Sequence, residues 1–68
     1  MRTFGENLKN FRKLNKISQR DFAERLGTTQ QRVSEWERDK VEPSLYNLLR
    51  ILKVFEITFE ELTEGIEE

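Results

Sequence analysis

The amino-acid sequence predicts an all-α fold of five short helices. Apolar residues recur at intervals of three and four, the spacing that places side chains on one face of an α-helix. A serine or threonine precedes each apolar stretch, where the first amides of a helix need a side-chain acceptor. The sequence contains no alternating apolar and polar run longer than a few residues, so it does not predict a β-sheet.

The first two helices each have recognisable ends. Thr3 with Glu6 predicts a capping box for a helix over residues 3–15. Its apolar stripe consists of Phe4, Leu8, Phe11 and Leu14. Ser18 with Asp21 predicts an acidic version of the same start for the second helix, whose apolar face consists of Phe22, Ala23 and Leu26. Gly27 predicts its end, because glycine readily adopts the left-handed conformation that follows many helices.

Three further helices complete the predicted bundle. Thr29 begins the third helix, which carries Val33 and Trp36 inward and ends near Arg38. Pro43-Ser44 begins the fourth helix, one face of which is marked by Leu45, Leu48, Leu49, Leu52 and Phe55. Thr58 and Glu61 predict a capping box for a short fifth helix that carries Phe59 and Leu62. We expect residues 63–68 to be a frayed tail.

Length and composition restrict the classes of protein. The 68 residues are expected to form one domain over 1–68, and without cysteine or histidine they predict no disulfide, metal or other cofactor. No run approaches the ~20 apolar residues of a membrane span, and no signal-peptide core is present, so we expect a cytoplasmic protein with no membrane partner. No small-molecule ligand is evident. The sequence contains neither a nucleophile–base set nor a glycine-rich phosphate loop, so it does not indicate an enzyme.

The charges divide unevenly along the chain. The net charge is −1. Residues 1–40 hold ten Lys/Arg and six Asp/Glu, a balance of +4, whereas residues 41–68 hold two Lys/Arg and seven Glu, a balance of −5. Because a protein binds DNA through one face, the local balance matters more than the total. The basic half is therefore compatible with a nucleic-acid surface, and the acidic half is expected to point away from it.

The segment Gly27-Thr28-Thr29-Gln30-Gln31 suggests what that surface contacts. It joins the second and third helices as a helix-turn-helix and opens the third helix with two glutamines. A glutamine amide can bond an adenine edge twice in the DNA major groove, and the N-terminal end of a recognition helix reaches the base edges. The alternative is an ordinary solvated helix start, since glutamine is also a good surface helix former.

Together these residues resemble the Cro/CI-type (XRE-type) helix-turn-helix family of phage repressors and bacterial regulators. The resemblance extends from about Phe4 to Leu62. It rests on Leu8 and Arg12, on Ser18-Gln19, Phe22-Ala23 and Leu26-Gly27, on Val33-Ser34 and Trp36-Glu37, and on Pro43-Ser44-Leu45. It implies a lambda-repressor-like five-helix domain that binds double-stranded DNA sequence-specifically. It further implies transcriptional regulation, most simply repression by a dimer on a palindromic operator.

The resemblance also implies roles for individual residues. The base contacts would be Thr29, Gln30, Gln31 and Glu35. The phosphate contacts would be Gln19, Arg32, Ser34, Arg38 and Lys40, with Gln19 also bracing the third helix. Arg12 and Glu37 would form an ion pair between the first and third helices.

Two positions depart from the family pattern. Asp39 stands where relatives usually hold glycine, and aspartate is among the residues that best tolerate a left-handed conformation. Glu35 stands where many relatives hold a polar or basic base-reading residue. Its carboxylate could accept a hydrogen bond from a cytosine amino group, or it could repel phosphate.

Apolar residues of the C-terminal half predict a homodimer interface. Their number exceeds what one core contact requires, so some are expected to be exposed. The predicted interface residues are Ile51, Val54, Phe55, Ile57, Phe59 and Leu62. The alternative is that all of these residues pack into the core of a single copy.

Two other functions fit the same pattern. One is a protein-interaction module, such as an antitoxin or the partner of a repressor antagonist, and the other is a restriction-modification controller protein. Trp36 also has two interpretations, a stacking platform for single strands or, favoured by its spacing from Val33, a core residue. A salt-dependent affinity for duplex DNA would separate a DNA-binding protein from an interaction module.

Overall fold

Five α-helices, joined by short turns, account for most of the chain. The computed structural model describes residues 2–66. The helices are α1 (Phe4–Leu14), α2 (Gln19–Leu26), α3 (Gln30–Glu37), α4 (Leu45–Phe55) and α5 (Phe59–Leu62). No helix within that range is long and apolar enough to cross a membrane. The predicted all-α class and the order of the five helices are confirmed.

A hydroxyl side chain caps the N-terminus of every helix, at the residue that the sequence predicts. The five caps are Thr3, Ser18, Thr29, Ser44 and Thr58. Each accepts a hydrogen bond from the backbone amide three residues on, at 3.0–3.2 Å. The capping box predicted at Thr58 and Glu61 is complete, whereas for the one predicted at Thr3 and Glu6 the structure shows the bond from the Glu6 amide to the Thr3 hydroxyl. These bonds satisfy amides that would otherwise lack a partner, which fixes where each helix starts.

The core lies where α1, α2, α3 and α4 meet. Its fully buried side chains include Leu8, Phe22, Leu26, Val33 and Ile51. The Phe22 and Phe55 rings stack with centroids 4.9 Å apart, and the Phe11 and Phe55 ring centroids are 5.8 Å apart. Burial of these rings and of the aliphatic side chains around them is the main source of stability in a domain that has no disulfide.

The inward face of α4 differs from the prediction. Leu48, Ile51, Leu52 and Phe55 pack on the core, whereas Leu45 and Leu49 are 68% and 47% exposed. Two apolar stripes overlap on this helix, and spacing alone does not determine which stripe faces inward. Leu14 is also exposed, at 76%. It lies two residues beyond buried Arg12, hence nearly on the opposite side of α1.

Burial corrects half of the predicted dimer interface. Ile51 and Leu62 are fully buried and Phe55 is 7% exposed, so these three residues complete the core of one copy. A second copy has no access to them. Val54 and Ile57 are half-buried, and Phe59 is 53% exposed.

The segment after α5 is tied to α1, so the expectation of a frayed tail is wrong for residues 63–66. The buried Asn7 amide donates to the carbonyls of Leu62 and Glu64, both at 2.9 Å. Arg2 and Ile66 form an isolated parallel β-bridge. Residues 67 and 68, which the same expectation included, lie outside the described residues.

Candidate nucleic-acid interface

The turn between α2 and α3 fixes the direction of the third helix. Gly27 adopts the predicted left-handed conformation with φ +72°, and the Thr28 amide donates to the Ala23 carbonyl at 2.9 Å. The Thr29 side chain then accepts from the Arg32 amide and starts α3. Val33 and Trp36, 0% and 3% exposed, hold the inner side of α3 against the core. This is the predicted helix-turn-helix, with Trp36 in the core.

The first turn of α3 presents polar side chains to solvent. Gln30, Gln31 and Arg32 are exposed, while Ser34 and Glu35 are half-buried. Because the Thr29 oxygen is used as the helix cap, its hydroxyl proton and its methyl group are what it offers to a ligand. The two glutamine amides each carry donors and an acceptor, so this end of α3 can form paired hydrogen bonds with a planar partner.

A buried ion pair anchors the other end of α3. Arg12 Nε and Nη2 donate to the two Glu37 carboxylate oxygens at 2.6 and 3.0 Å, and Arg12 Nη1 donates to the Ile17 carbonyl at 2.9 Å. Both residues are less than 10% exposed. The hydrogen bond to Glu37 raises the pKa of Arg12 above its ordinary value, against the opposing effect of burial. The pair joins α1 to α3 through two residues that are 25 positions apart in the sequence.

Gln19 extends this anchor to α2. Its Nε2 atom donates to Glu37 Oε1 at 3.1 Å, so one carboxylate holds groups from both α1 and α2. The side chain is half-buried and retains a second N–H and its carbonyl oxygen. The position of Gln19 at the start of α2 therefore allows it both to brace α3 and to present a donor at the surface.

The loop after α3 carries the two remaining basic residues of the predicted site. Arg38 and Lys40 are exposed, and Arg38 Nε lies 3.4 Å from the Ser34 carbonyl. Asp39 between them has φ +58°, the left-handed conformation anticipated for this glycine-like position. Its Oδ1 accepts from the Gly5 amide at 2.9 Å, and its Oδ2 accepts from the Thr3 hydroxyl at 2.6 Å.

Contacts between α1 and α3 bring Asp39 to this position, and no short segment of the sequence predicts these contacts. A Cβ atom on Gly5 would overlap the Glu37 carbonyl oxygen and would lie 2.7 Å from the Trp36 carbonyl oxygen. Glycine is therefore the residue that lets the start of α1 approach the backbone at the end of α3. Residues 3–5 and 36–39 form one junction, which we call the α1–α3 junction.

Comparison with known proteins places this architecture in a family. The sequence profile of the helix-turn-helix family matches residues 8–62, from the first buried leucine of α1 to the last residue of α5. The chain belongs to the XRE-type helix-turn-helix family. The resemblance inferred from the sequence is thereby confirmed, and so is the lambda-repressor-like fold.

Two solved structures resemble the domain closely. A crystal structure of the P22 c2 repressor in complex with synthetic operator 9T aligns with a TM-score of 0.88 and 31% identity, covering 96% of this chain and 98% of that one. The restriction-modification controller protein C.AhdI from Aeromonas hydrophila aligns with a TM-score of 0.80 and 30% identity, covering 87% and 89%.

The sequence relative YqaE of Bacillus subtilis is an uncharacterized HTH-type transcriptional regulator. It is 32% identical over 62 residues, which are 91% of this XRE-type chain and 53% of YqaE. The chain thus spans about half the length of that relative.

Proposed function

We propose that this XRE-type domain is a sequence-specific transcriptional regulator that places α3 in the major groove of double-stranded DNA. The observation that carries the proposal is the contrast along α3. Its inner side is buried and its C-terminal end is anchored by Arg12, while its first turn exposes Gln30 and Gln31. A recognition helix reads bases with its N-terminal residues, so it needs this division between a fixed side and a free end.

The relatives support duplex DNA as the ligand. The P22 c2 repressor, similar over nearly all of both chains, was solved on a synthetic operator. YqaE is described as a transcriptional regulator. Repression by occupying an operator is therefore the form of regulation we propose. The similarity to C.AhdI keeps a controller protein as the second candidate, and it predicts DNA binding of the same kind.

Base reading is proposed for four residues. The amides of Gln30 and Gln31 each match the donor and acceptor of an adenine edge, and the Thr29 methyl group matches a thymine methyl. Glu35 lies one turn further along α3 and is half-buried. Its carboxylate would accept from a cytosine amino group.

Phosphate contacts are proposed for five residues around α3. Arg32, Arg38 and Lys40 are exposed cations, while Gln19 and Ser34 offer neutral donors at the half-buried edge. Such contacts fix the register of a protein on the duplex and supply affinity, whereas base contacts supply sequence preference.

Substitutions that separate these two roles test the proposal. Sites are first selected from random duplex DNA. Gln30→Ala and Gln31→Ala are each expected to weaken binding to the selected site by ~1–3 kcal/mol and to leave binding to random duplex nearly unchanged. The matched variant Arg38→Ala is expected to weaken binding to the selected site and to random duplex by the same factor. It is also expected to reduce the slope of log affinity against log salt by the amount that one phosphate contact contributes. Undiminished binding of both glutamine variants to the selected site would contradict base reading.

We further propose that two copies bind a palindromic operator. One recognition helix covers few base pairs, and dimers of such proteins span half-sites ~34–36 Å apart. The remaining exposed apolar residues support a second copy as the occupant of one surface. Phe59 is exposed and shares a groove with Phe4, Pro43, Leu48 and Ile66. Leu45 and Leu49 are exposed on α4.

Sedimentation of the protein with selected DNA tests the dimer. Phe59→Gln is expected to lower the protein-to-DNA ratio from two copies towards one without unfolding the domain, because the side chain is half exposed already. Leu14→Gln, at a more exposed apolar residue on α1, is the matched control and is expected to change nothing. One copy of the parent on a non-symmetric site would rule out the dimer.

A further inference from the structure

The α1–α3 junction gives Asp39 a role beyond tolerating a left-handed turn. A glycine would adopt φ +58° without strain, so the turn alone does not require a carboxylate. The carboxylate instead accepts two hydrogen bonds from the start of α1, donated by Thr3 and Gly5, which lie 36 and 34 residues earlier in the chain. The side chain therefore connects the loop to a rigid element.

The charge of Asp39 is compensated at the same place. Its oxygens lie at the N-terminus of α1, where the unpaired amides and the helix dipole favour a negative charge. A carboxylate between Arg38 and Lys40 would otherwise repel the DNA phosphates proposed for this loop. Bonded to the Gly5 amide and the Thr3 hydroxyl, the carboxylate is turned towards α1.

We propose that Asp39 is a positioning residue for DNA binding, which holds residues 38–40 in the conformation that presents Arg38 and Lys40 to the phosphates. The inference rests on the proposed function. Its physical reason is entropic: a loop already ordered in the free protein has less freedom to lose when its side chains bind. Two backbone bonds also hold this loop against the end of α3, since the Asp39 amide donates to the Trp36 carbonyl and the Lys40 amide donates to the Glu35 carbonyl.

Two variants of equal charge isolate this role. Asp39→Asn removes the negative charge but retains an oxygen for the Gly5 amide and a group that can bond the Thr3 hydroxyl. Asp39→Gly removes the same charge and both bonds, yet keeps the backbone conformation free of strain. Because the two variants carry the same charge, any difference between them in DNA affinity reports the loss of the side chain at position 39 with its bonds, and not the loss of charge.

Affinities are measured by titration on the selected site and on a random duplex of equal length, over a series of salt concentrations. Circular dichroism melts establish a temperature at which every variant is folded. Asp39→Gly is expected to bind about threefold to tenfold more weakly than Asp39→Asn, by the same factor on both DNAs. The difference reflects the entropy lost when binding orders a loop and its side chains. The salt slope is expected to be the same for both, because the same phosphates are contacted in the complex.

Each outcome decides the matter. Equal affinities of the two folded variants would overturn the positioning role and leave the proposed function intact. A difference confined to the selected site would assign Asp39 to base reading and would also overturn it. Failure of the parent protein to bind any duplex would overturn the proposed function, and with it this inference.

Discussion

The buried pair of Arg12 and Glu37 offers the sharpest test of how α3 is held. Arg12→Met removes three hydrogen bonds and leaves the Glu37 carboxylate buried with Gln19 as its remaining donor. Breaking one partner of a buried ion pair costs ~3–5 kcal/mol, because the other charge is left without compensation. A domain of this length has about 3–10 kcal/mol of stability in total. We therefore expect Arg12→Met to unfold under mild conditions, and Glu37→Met to behave alike.

The double variant Arg12→Met/Glu37→Met distinguishes a lost pair from a general disturbance. The double variant buries no uncompensated charge. Its loss in free energy of unfolding is therefore expected to be smaller than the sum of the two single losses by at least ~2 kcal/mol. Urea unfolding is followed by fluorescence of Trp36, the only tryptophan, which is 3% exposed, and by circular dichroism. Arg20→Met is the control, because its pair with Glu24 is 69–79% exposed, and it should stay within about 0.5 kcal/mol of the parent. Additive losses, or single variants as stable as that control, would refute the reasoning.

Three further predictions concern the fold. Gly5→Ala is expected to lose ~1–3 kcal/mol on urea unfolding, because α1 must retreat from the backbone of α3; a gain, as for Asn10→Ala on the exposed face, would contradict the close contact. Ile51→Ala is expected to lose ~2–5 kcal/mol by the same measurement, because the side chain is fully buried. A loss as small as that of an exposed residue would contradict this burial and would favour Ile51 as an interface residue. Stability is expected to be nearly constant from pH 6 to 9. The chain has no histidine. The pKa of Arg12 is raised in the folded state, so its contribution to stability is complete below the ordinary arginine pKa, far above this range, and is lost only as the pH rises through the raised value. A marked change in the unfolding midpoint across this range would contradict it.

Features that depend on neighbouring residues were predictable from the sequence. A hydroxyl at Thr3 or Ser44 caps whichever amide lies three positions on, so helix starts follow from short segments. Gly27 ends α2 for an equally local reason. The helix-turn-helix was consequently predicted with its correct order and its Thr29 cap.

Features that depend on contacts between residues far apart in the sequence were not predictable from it. The core takes Ile51 and leaves Leu45 and Leu49 exposed, which depends on how α4 packs against other helices. No spacing within α4 contains that information, because Phe55 belongs to the predicted and to the observed face alike. Asn7 and Gly5 carry no local signal, since their partners are backbone atoms at Leu62 and Trp36. The pairing of Arg12 with Glu37 came from the family resemblance, because 25 residues separate the two.

The bonds from Asn7 to the last residue of α5 and the segment after it bear on the order of events during synthesis. The buried amide of Asn7 leaves the ribosome well before its acceptors at Leu62 and Glu64, which lie 55 and 57 residues further along the chain. Until they emerge, this amide must stay hydrated, because a buried polar group without a partner is costly. We therefore expect α2 and α3, whose contacts are nearer in sequence, to associate first. Closure of the first turns of α1 would then be the final step, once almost the whole domain is outside the exit tunnel.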